Sequence, residues 1–234
     1  MGQFILLIES ATETCSASLA DGSTLIAQKV CHIGRSHDTV LAPLTDGILK
    51  ENGLKASDLA AVAVSEGPGS YMGLRIGVAL AKGIAYAAKT NLIGINTLAV
   101  IARCASESCT KEFRHIVPMI DAGRMEVYTA VFDGNCNQLE KTEAKILSPE
   151  SFRNLTEEGP VLFAGNGAPK FGKLLEDTYG TLPDNATILN QTPLASGLRI
   201  DAAKALEEGR FADLAYFQPF YLKEFIPGKQ KKLL

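Results

Sequence analysis

The chain is poor in the residues from which metal centres are made, and the few it has are spaced wrongly for one. Its three histidines, His32, His37 and His115, form neither His-x-x-x-His nor His-Glu-x-x-His, the spacings that set two imidazoles on one helical face. Its five cysteines, Cys15, Cys31, Cys104, Cys109 and Cys136, are odd in number and contain no Cys-x-x-Cys. Neither a zinc ribbon nor a disulfide framework is suggested, and reduced, mostly buried thiols are expected. An excess of positive charge is lacking too: at a formal net charge of -3 there is no general basic field to hold nucleic acid. Long hydrophobic runs are absent. The stretch from Phe4 to Ile8 is far too short for a signal peptide or a membrane span and follows no basic segment, so a cytoplasmic protein without membrane contact is expected.

What is present fills a fold. With 234 residues and 46% hydrophobic content the chain can bury one large core or two modest ones. Alternation and apolar runs predict strands at Phe4 to Glu9, Cys15 to Ala20 and Thr24 to Val30, with Asp21-Gly22 as the hairpin turn between the last two. A helix from about Thr39 to Glu51 follows, with Pro43 in its first turn or at a kink. Next come a strand from Leu59 to Ser65, a helix after Ser70, a strand from Asn91 to Ile95 and a helix from Thr97 towards Ser108. The second half repeats this order: strands at His115 to Ile120, at Glu126 to Phe132 and on towards Leu147, a helix begun by Ser148-Pro149-Glu150, a strand at Val161 to Ala164, and a helix from Pro169 to about Tyr179. A strand at Ala186 to Leu189 and a helix from Ala195 to Glu208 close it, before a tail with Lys229, Lys231 and Lys232. Glu9 and Asp121 lie 112 positions apart, as do the turns Asp21-Gly22 and Asp133-Gly134, which marks a duplication of a βββαβα-type unit. The expected lobes are residues 1–110 and 111–234.

The stretch from Ser65 to Lys89 carries two readings. After Gly67-Pro68-Gly69, Ser70 can cap a helix whose first amides are free to hold an anion. Along that helix Gly73, Gly77 and Ala81 recur every four residues beside Leu74, Val78 and Ala85, a small apolar stripe that another helix could approach closely. The turn lacks the Gly-Lys-Ser/Thr ending of a P-loop, and its proline and the preceding hairpin argue against a dinucleotide fingerprint. Ser70 has no histidine base assigned to it, so capping is its expected job. The turn from Glu9 to Thr14 offers hydroxyls and amides suited to phosphate, or is an ordinary hairpin turn. Asp121-Ala122-Gly123-Arg124 adds a second carboxylate and a basic side chain, or is a solvated pair. Arg35, Ser36 and His37 precede the helix whose apolar row is Val40, Leu41, Leu44 and Ile48; His37 there reads as a cap or an interface hydrogen-bonder.

Taken together, Ile8 to Ser16, Arg35-Ser36-His37, the block from Gly67 to Gly77, Asp121 to Tyr128 and Pro219-Phe220-Tyr221-Leu222-Lys223 resemble the TsaB family, also called YeaZ, over nearly the whole length. The resemblance implies the duplicated actin-like fold shared with Hsp70-like proteins and sugar kinases (ribonuclease H-like lobes, the ASKHA superfamily), an α/β class. It implies a non-catalytic scaffold that pairs with a TsaD-like catalytic subunit and, with a TsaE-like ATPase, serves formation of N6-threonylcarbamoyladenosine beside the anticodon of tRNA. Contact with tRNA would be indirect, through the complex. TsaD-like relatives carry paired histidines for a metal, which this chain lacks. Glu9 stands where the family usually has aspartate, Tyr71-Met72 where Phe-Thr is usual, and one glycine, Gly123, where nucleotide-hydrolysing relatives have a run. These departures argue against independent ATP binding, and no cofactor is expected; Glu9, Ser10, Thr12 and Asp121 are the residues that would hold a vestigial ATP or ADP.

The docking face is expected on His37, Val40, Leu41, Leu44 and Ile48 of one helix and Ser70, Tyr71, Gly73, Leu74, Gly77, Val78 and Ala81 of the next. Without its partner the same face would pair with a second copy as an isologous homodimer. On this reading Gly77→Leu blocks docking and spares the fold. The rival readings are an ATP-dependent small-molecule kinase of the same fold, with Glu9 and Asp121 as its carboxylates, and a glycoprotease-like hydrolase, which the histidine count disfavours.

Overall fold

A computed structural model describes residues 2–34 and 36–223. Arg35 and the tail lysines Lys229, Lys231 and Lys232 lie outside those residues.

Ile5 to Ile8 have no exposed surface, because β1 (Phe4–Glu9) sits at the centre of a sheet covered on both faces. Leu6 and Ile8 point into one hydrophobic cluster, Ile5 and Leu7 into another, as a period of two requires. β2 (Cys15–Asp21) and β3 (Thr24–Cys31) extend it as an antiparallel meander turned at Gly22, whose φ of +56 suits a glycine. β4 (Ala61–Gly67) and β5 (Asn91–Asn96) add on the other side in parallel, giving the order β3-β2-β1-β4-β5. Parallel neighbours need crossovers. Between β3 and β4 that is α1 (His37–Glu51), and between β4 and β5 it is α2 (Tyr71–Ala88), both laid on the face of Leu6 and Ile8.

The second sheet repeats the plan. β6 (His115–Asp121), β7 (Glu126–Asp133) and β8 (Gln138–Ile146) form the meander, and β9 (Val161–Ala164) and β10 (Ala186–Leu189) add in parallel, in the order β10-β9-β6-β7-β8. Glu9 and Asp121 are the last residues of β1 and β6, so the 112-residue offset is a structural repeat, and each copy extends the expected βββαβα order by a fifth strand. Between the sheets lies α3 (Thr97–Ser108). It gives Val100 and Cys104 to the first core and Leu98, Ile101, Ala102 and Ala105 to the second.

Two expectations need correction. Ser148-Pro149-Glu150 does not open a helix; α4 (Arg153–Glu158) begins only after Phe152, whose φ of 63 interrupts helical geometry, while the Phe152 ring packs on Phe163 and Phe171 of the second core. Nor does the chain divide at residue 110. After α5 (Ala168–Tyr179) and β10, the chain returns to the first lobe. A 3-10 turn, Ala195–Leu198, and α6 (Arg199–Glu207) bury Ala195, Leu198, Ala202, Ala203 and Ala205 against Ile5, Leu7, Ala61 and Ala63. These small side chains fit a sheet face that residues 1–110 leave only partly covered by α3.

Candidate functional site

The glycines of α2 face inward. Ser10 donates its hydroxyl to the Gly73 carbonyl at 2.9 Å, and a Cβ at Gly73 or Gly77 would collide with the Ser10 carbonyl or hydroxyl oxygen. Only glycine lets α2 cross the end of β1 this closely. Leu74, Val78 and Ala81 follow them into the core, as do Leu41 and Ile48 from α1, so these seven residues form no docking face and their expected role is corrected. Val40 and Leu44 stay half-buried at its edge. The other side of α2 instead shows Met72, 60% exposed, and the half-buried Ile76 and Leu80, a second apolar row at four-residue spacing whose first two members also line the cleft between the lobes. That row was present in the sequence, where the small-residue row beside it drew the reading.

The starts of both helices border a cleft between the lobes. It encloses about 760 Å³ and is lined by the turn from Ala11 to Glu13, His37 and Asp38, Ser70 and Gly73, and Asp121, Tyr128 and Asn166 across from them. His37 is buried, with a ring nitrogen 2.9 Å from the Thr12 carbonyl, so it ties α1 to the first turn. Ser70 is exposed and its hydroxyl accepts from Gly73 N at 3.3 Å, which is the capping role expected of it. Its own amide donates to Ala11 O at 2.7 Å. Two of the amides that an anion at the start of α2 would use are thus already bonded within the chain.

The carboxylates differ from each other. Glu9 is fully buried and does not line the cleft; burial pushes its pKa from 4.5 to about 7 against the lowering effect of Ala11 N–H, Ser65 and Ser10 N–H. Its Oε1 accepts from Ala11 N at 2.7 Å while Oε2 has no partner. Asp121 is exposed. Partial burial works to raise its pKa, but Lys170 Nζ at 2.6 Å and Gly123 N at 2.7 Å hold it below the ordinary value. Thr12 brings a shielded hydroxyl without a partner. The structure therefore gathers Ser10, Thr12 and Glu9 at one turn and sets Asp121 across the cleft already paired with a lysine. Among the described residues no three His, Cys, Asp or Glu side chains group as metal ligands, and no helix is long and apolar enough to cross a membrane.

A strap that sequence reasoning missed runs from residue 211 to 223. Ala212 N donates to Leu92 O at 2.8 Å and Phe220 N to Glu66 O at 2.6 Å, while Lys82 Nζ on α2 donates to the carbonyls of Ala215 and Phe217, each at 3.1 Å. Phe217 lies against Gly94, the Tyr221 ring sits 5.1 Å from that of Tyr71, and the Arg75 guanidinium lies over the Tyr71 ring, 4.6 Å from its centroid. Lys223 then pairs with Glu126 of the second lobe. Aromatic residues at 211, 216, 217, 220 and 221 were the available signal.

A family model described as TsaD, tRNA N6-adenosine threonylcarbamoyltransferase, matches residues 31–229. The chain is 30% identical to the tRNA threonylcarbamoyladenosine biosynthesis protein TsaB of Escherichia coli, over 97% of this chain and 99% of that one. It is 34% identical to the protein of that name from Haemophilus influenzae, over 97% and 96%. YeaZ from Pseudomonas aeruginosa has the same fold, with a TM-score of 0.77 at 24% identity over 94% of this chain and all of that one. Two copies of one sheet plan, joined across a cleft, are the duplicated actin-like fold, and the chain belongs to the TsaB (YeaZ) family within it.

Proposed function

We propose that this chain takes part in the biosynthesis of tRNA threonylcarbamoyladenosine as a non-catalytic subunit that docks on a TsaD-like catalytic subunit. The observation that carries the reading is similarity to proteins named TsaB along almost the whole of both chains. The cleft supports it: two of the amides at the start of α2 are engaged, Asp121 is paired with Lys170, and Glu9 is sealed away from the opening. Such a cleft is poorly equipped for phosphoryl transfer, which needs free donors and carboxylates that reach a metal-bound phosphate. Neither the kinase nor the hydrolase reading gains from it.

Docking uses the sides of α1 and α2 turned away from the first sheet, at the rim of the cleft, with Val40, Leu44, Met72, Ile76 and Leu80 as the apolar contacts. The same face supports the homodimer formed in the partner's absence, while a TsaE-like ATPase and tRNA join through the catalytic subunit. Met72 is the residue to test, because it is exposed and outside the core. Met72→Asp weakens calorimetric binding to the TsaD-like partner by about tenfold or more, as loss of one apolar anchor does, and leaves the circular dichroism unchanged. Unaltered affinity would remove α2 from the interface. Threonylcarbamoyl transfer to tRNA, assayed with and without this chain, tests the role itself.

A further inference from the structure

Cys15 begins β2 and Cys31 ends β3, and the strand register sets them directly opposite each other. Residues opposed in an antiparallel pair point to the same face with Cα atoms about 4.5–5.5 Å apart. A disulfide accepts Cα separations of about 4.4–6.8 Å, so the register meets that requirement, and Cβ atoms about 4.5–5.5 Å apart need close by no more than about 1 Å to reach the roughly 3.5–4.5 Å of a bonded pair. Their side chains also meet: the neighbouring Cys31 thiol contributes, after burial, to pushing Cys15 up to about 11. Neither is bonded in a disulfide, and neither is drawn into the cleft lining described above. Cys104, Cys109 and Cys136 lie on α3, just beyond its end and in the β7–β8 turn, so no strand register pairs any of them with another thiol.

We propose that Cys15 and Cys31 form a reversible redox pair whose co-substrate is a low-molecular-weight disulfide of the glutathione class. The two positions differ in access. Cys15 has no exposed surface, whereas Cys31 is partly exposed on the edge strand of the first sheet, with its sulfur 3.8 Å from the Ser36 hydroxyl. Cys31 thiolate therefore attacks one sulfur of the incoming disulfide, forming a mixed disulfide and releasing one small thiolate. Cys15 then gives its proton to that small thiolate, attacks Cys31 Sγ and breaks the mixed disulfide, expelling the second small thiolate, which takes up from solvent the proton that Cys31 released on ionising. Two protein thiols are oxidised, one small disulfide is reduced to two thiols, and no other reactant is consumed. The buried, high-pKa Cys15 makes closure the slower step, so the Cys31 adduct precedes the bond.

The test is incubation of the full chain with glutathione disulfide, alkylation without reduction, and peptide mapping by mass spectrometry. The expected result is a peptide joining residues 15 and 31 and loss of two of the five thiols that react in denaturant, both reversed by dithiothreitol. Cys15→Ala arrests at a glutathione adduct on Cys31, and Cys31→Ala forms no link. Mapping of the unaltered chain decides the matter even if a variant fails to fold. Five intact thiols, a Cys31 adduct that never closes in the unaltered chain, or a link to Cys104, Cys109 or Cys136 would each overturn the proposal.

Discussion

Glu9 Oε1 accepts the Ala11 amide, with Ser65 and Ser10 N–H adding smaller lowering effects, while Oε2 has no hydrogen-bond partner, so ionising this carboxyl leaves a buried charge incompletely solvated. Its folded pKa of about 7 lies above the ordinary 4.5. Below the lower value both states hold the proton. Between the two, the unfolded chain releases it and the folded chain keeps it, so stability falls as pH rises and levels off above about 7. Glu9→Gln removes that slope. In urea unfolding the variant is expected to match the parent near pH 4 and to exceed it by on the order of 3 kcal/mol at pH 8; a difference that does not change with pH would refute the assignment. Gly77 makes the opposite kind of demand. Any side chain there meets the Ser10 hydroxyl and breaks its bond to Gly73 O, so Gly77→Leu lowers stability by about 3 kcal/mol, readable as a fall in Tm. That reverses the reading in which this change spares the fold.

At the level of elements, α2 is gripped on two sides, by the first sheet and by the strap. Lys82 holds the strap through two carbonyls on a half-buried ammonium. Lys82→Met keeps the side chain's length and removes both bonds, at a loss of about 1.4 kcal/mol. The amides of Ala212 and Phe217 are then expected to exchange hydrogen about tenfold faster, while those of β1 keep their rates. Most elements were legible because their periods are local: the alternation in β1, the turn at Asp21-Gly22, the cap at Ser70. Which side of α2 goes inward was not. The helix carries two apolar rows, Gly73-Gly77-Ala81 and Met72-Ile76-Leu80, and the choice between them is made by Ser10, 63 residues before Gly73. Likewise no local signal places Phe152 at positive φ, since what holds it there is its packing on Phe163 and Phe171.

For the whole molecule, the junction between lobes is a shared core. α3 serves both sheets, Arg103 bonds Asp201 on α6 through two nitrogens and Asn135 O in the second lobe, and Arg199 of α6 pairs with Glu107 of α3 at 2.6 Å. A fragment of residues 1–110 would expose Ile5, Leu7, Ala61 and Ala63 where the 3-10 turn and α6 belong. It is expected to bind a hydrophobic dye and to melt without a cooperative transition. A sharp calorimetric transition for that fragment would show the first lobe to be self-sufficient. The return of α6 to the first sheet also orders events during synthesis. All strands of the second sheet have been made by residue 189, whereas the first sheet waits for residues 195–207 to leave the ribosome. The half encoded first is therefore the half finished last, and one face of its central strands, covered by then only in part by α3, stays accessible to chaperones for as long as its younger twin is being built.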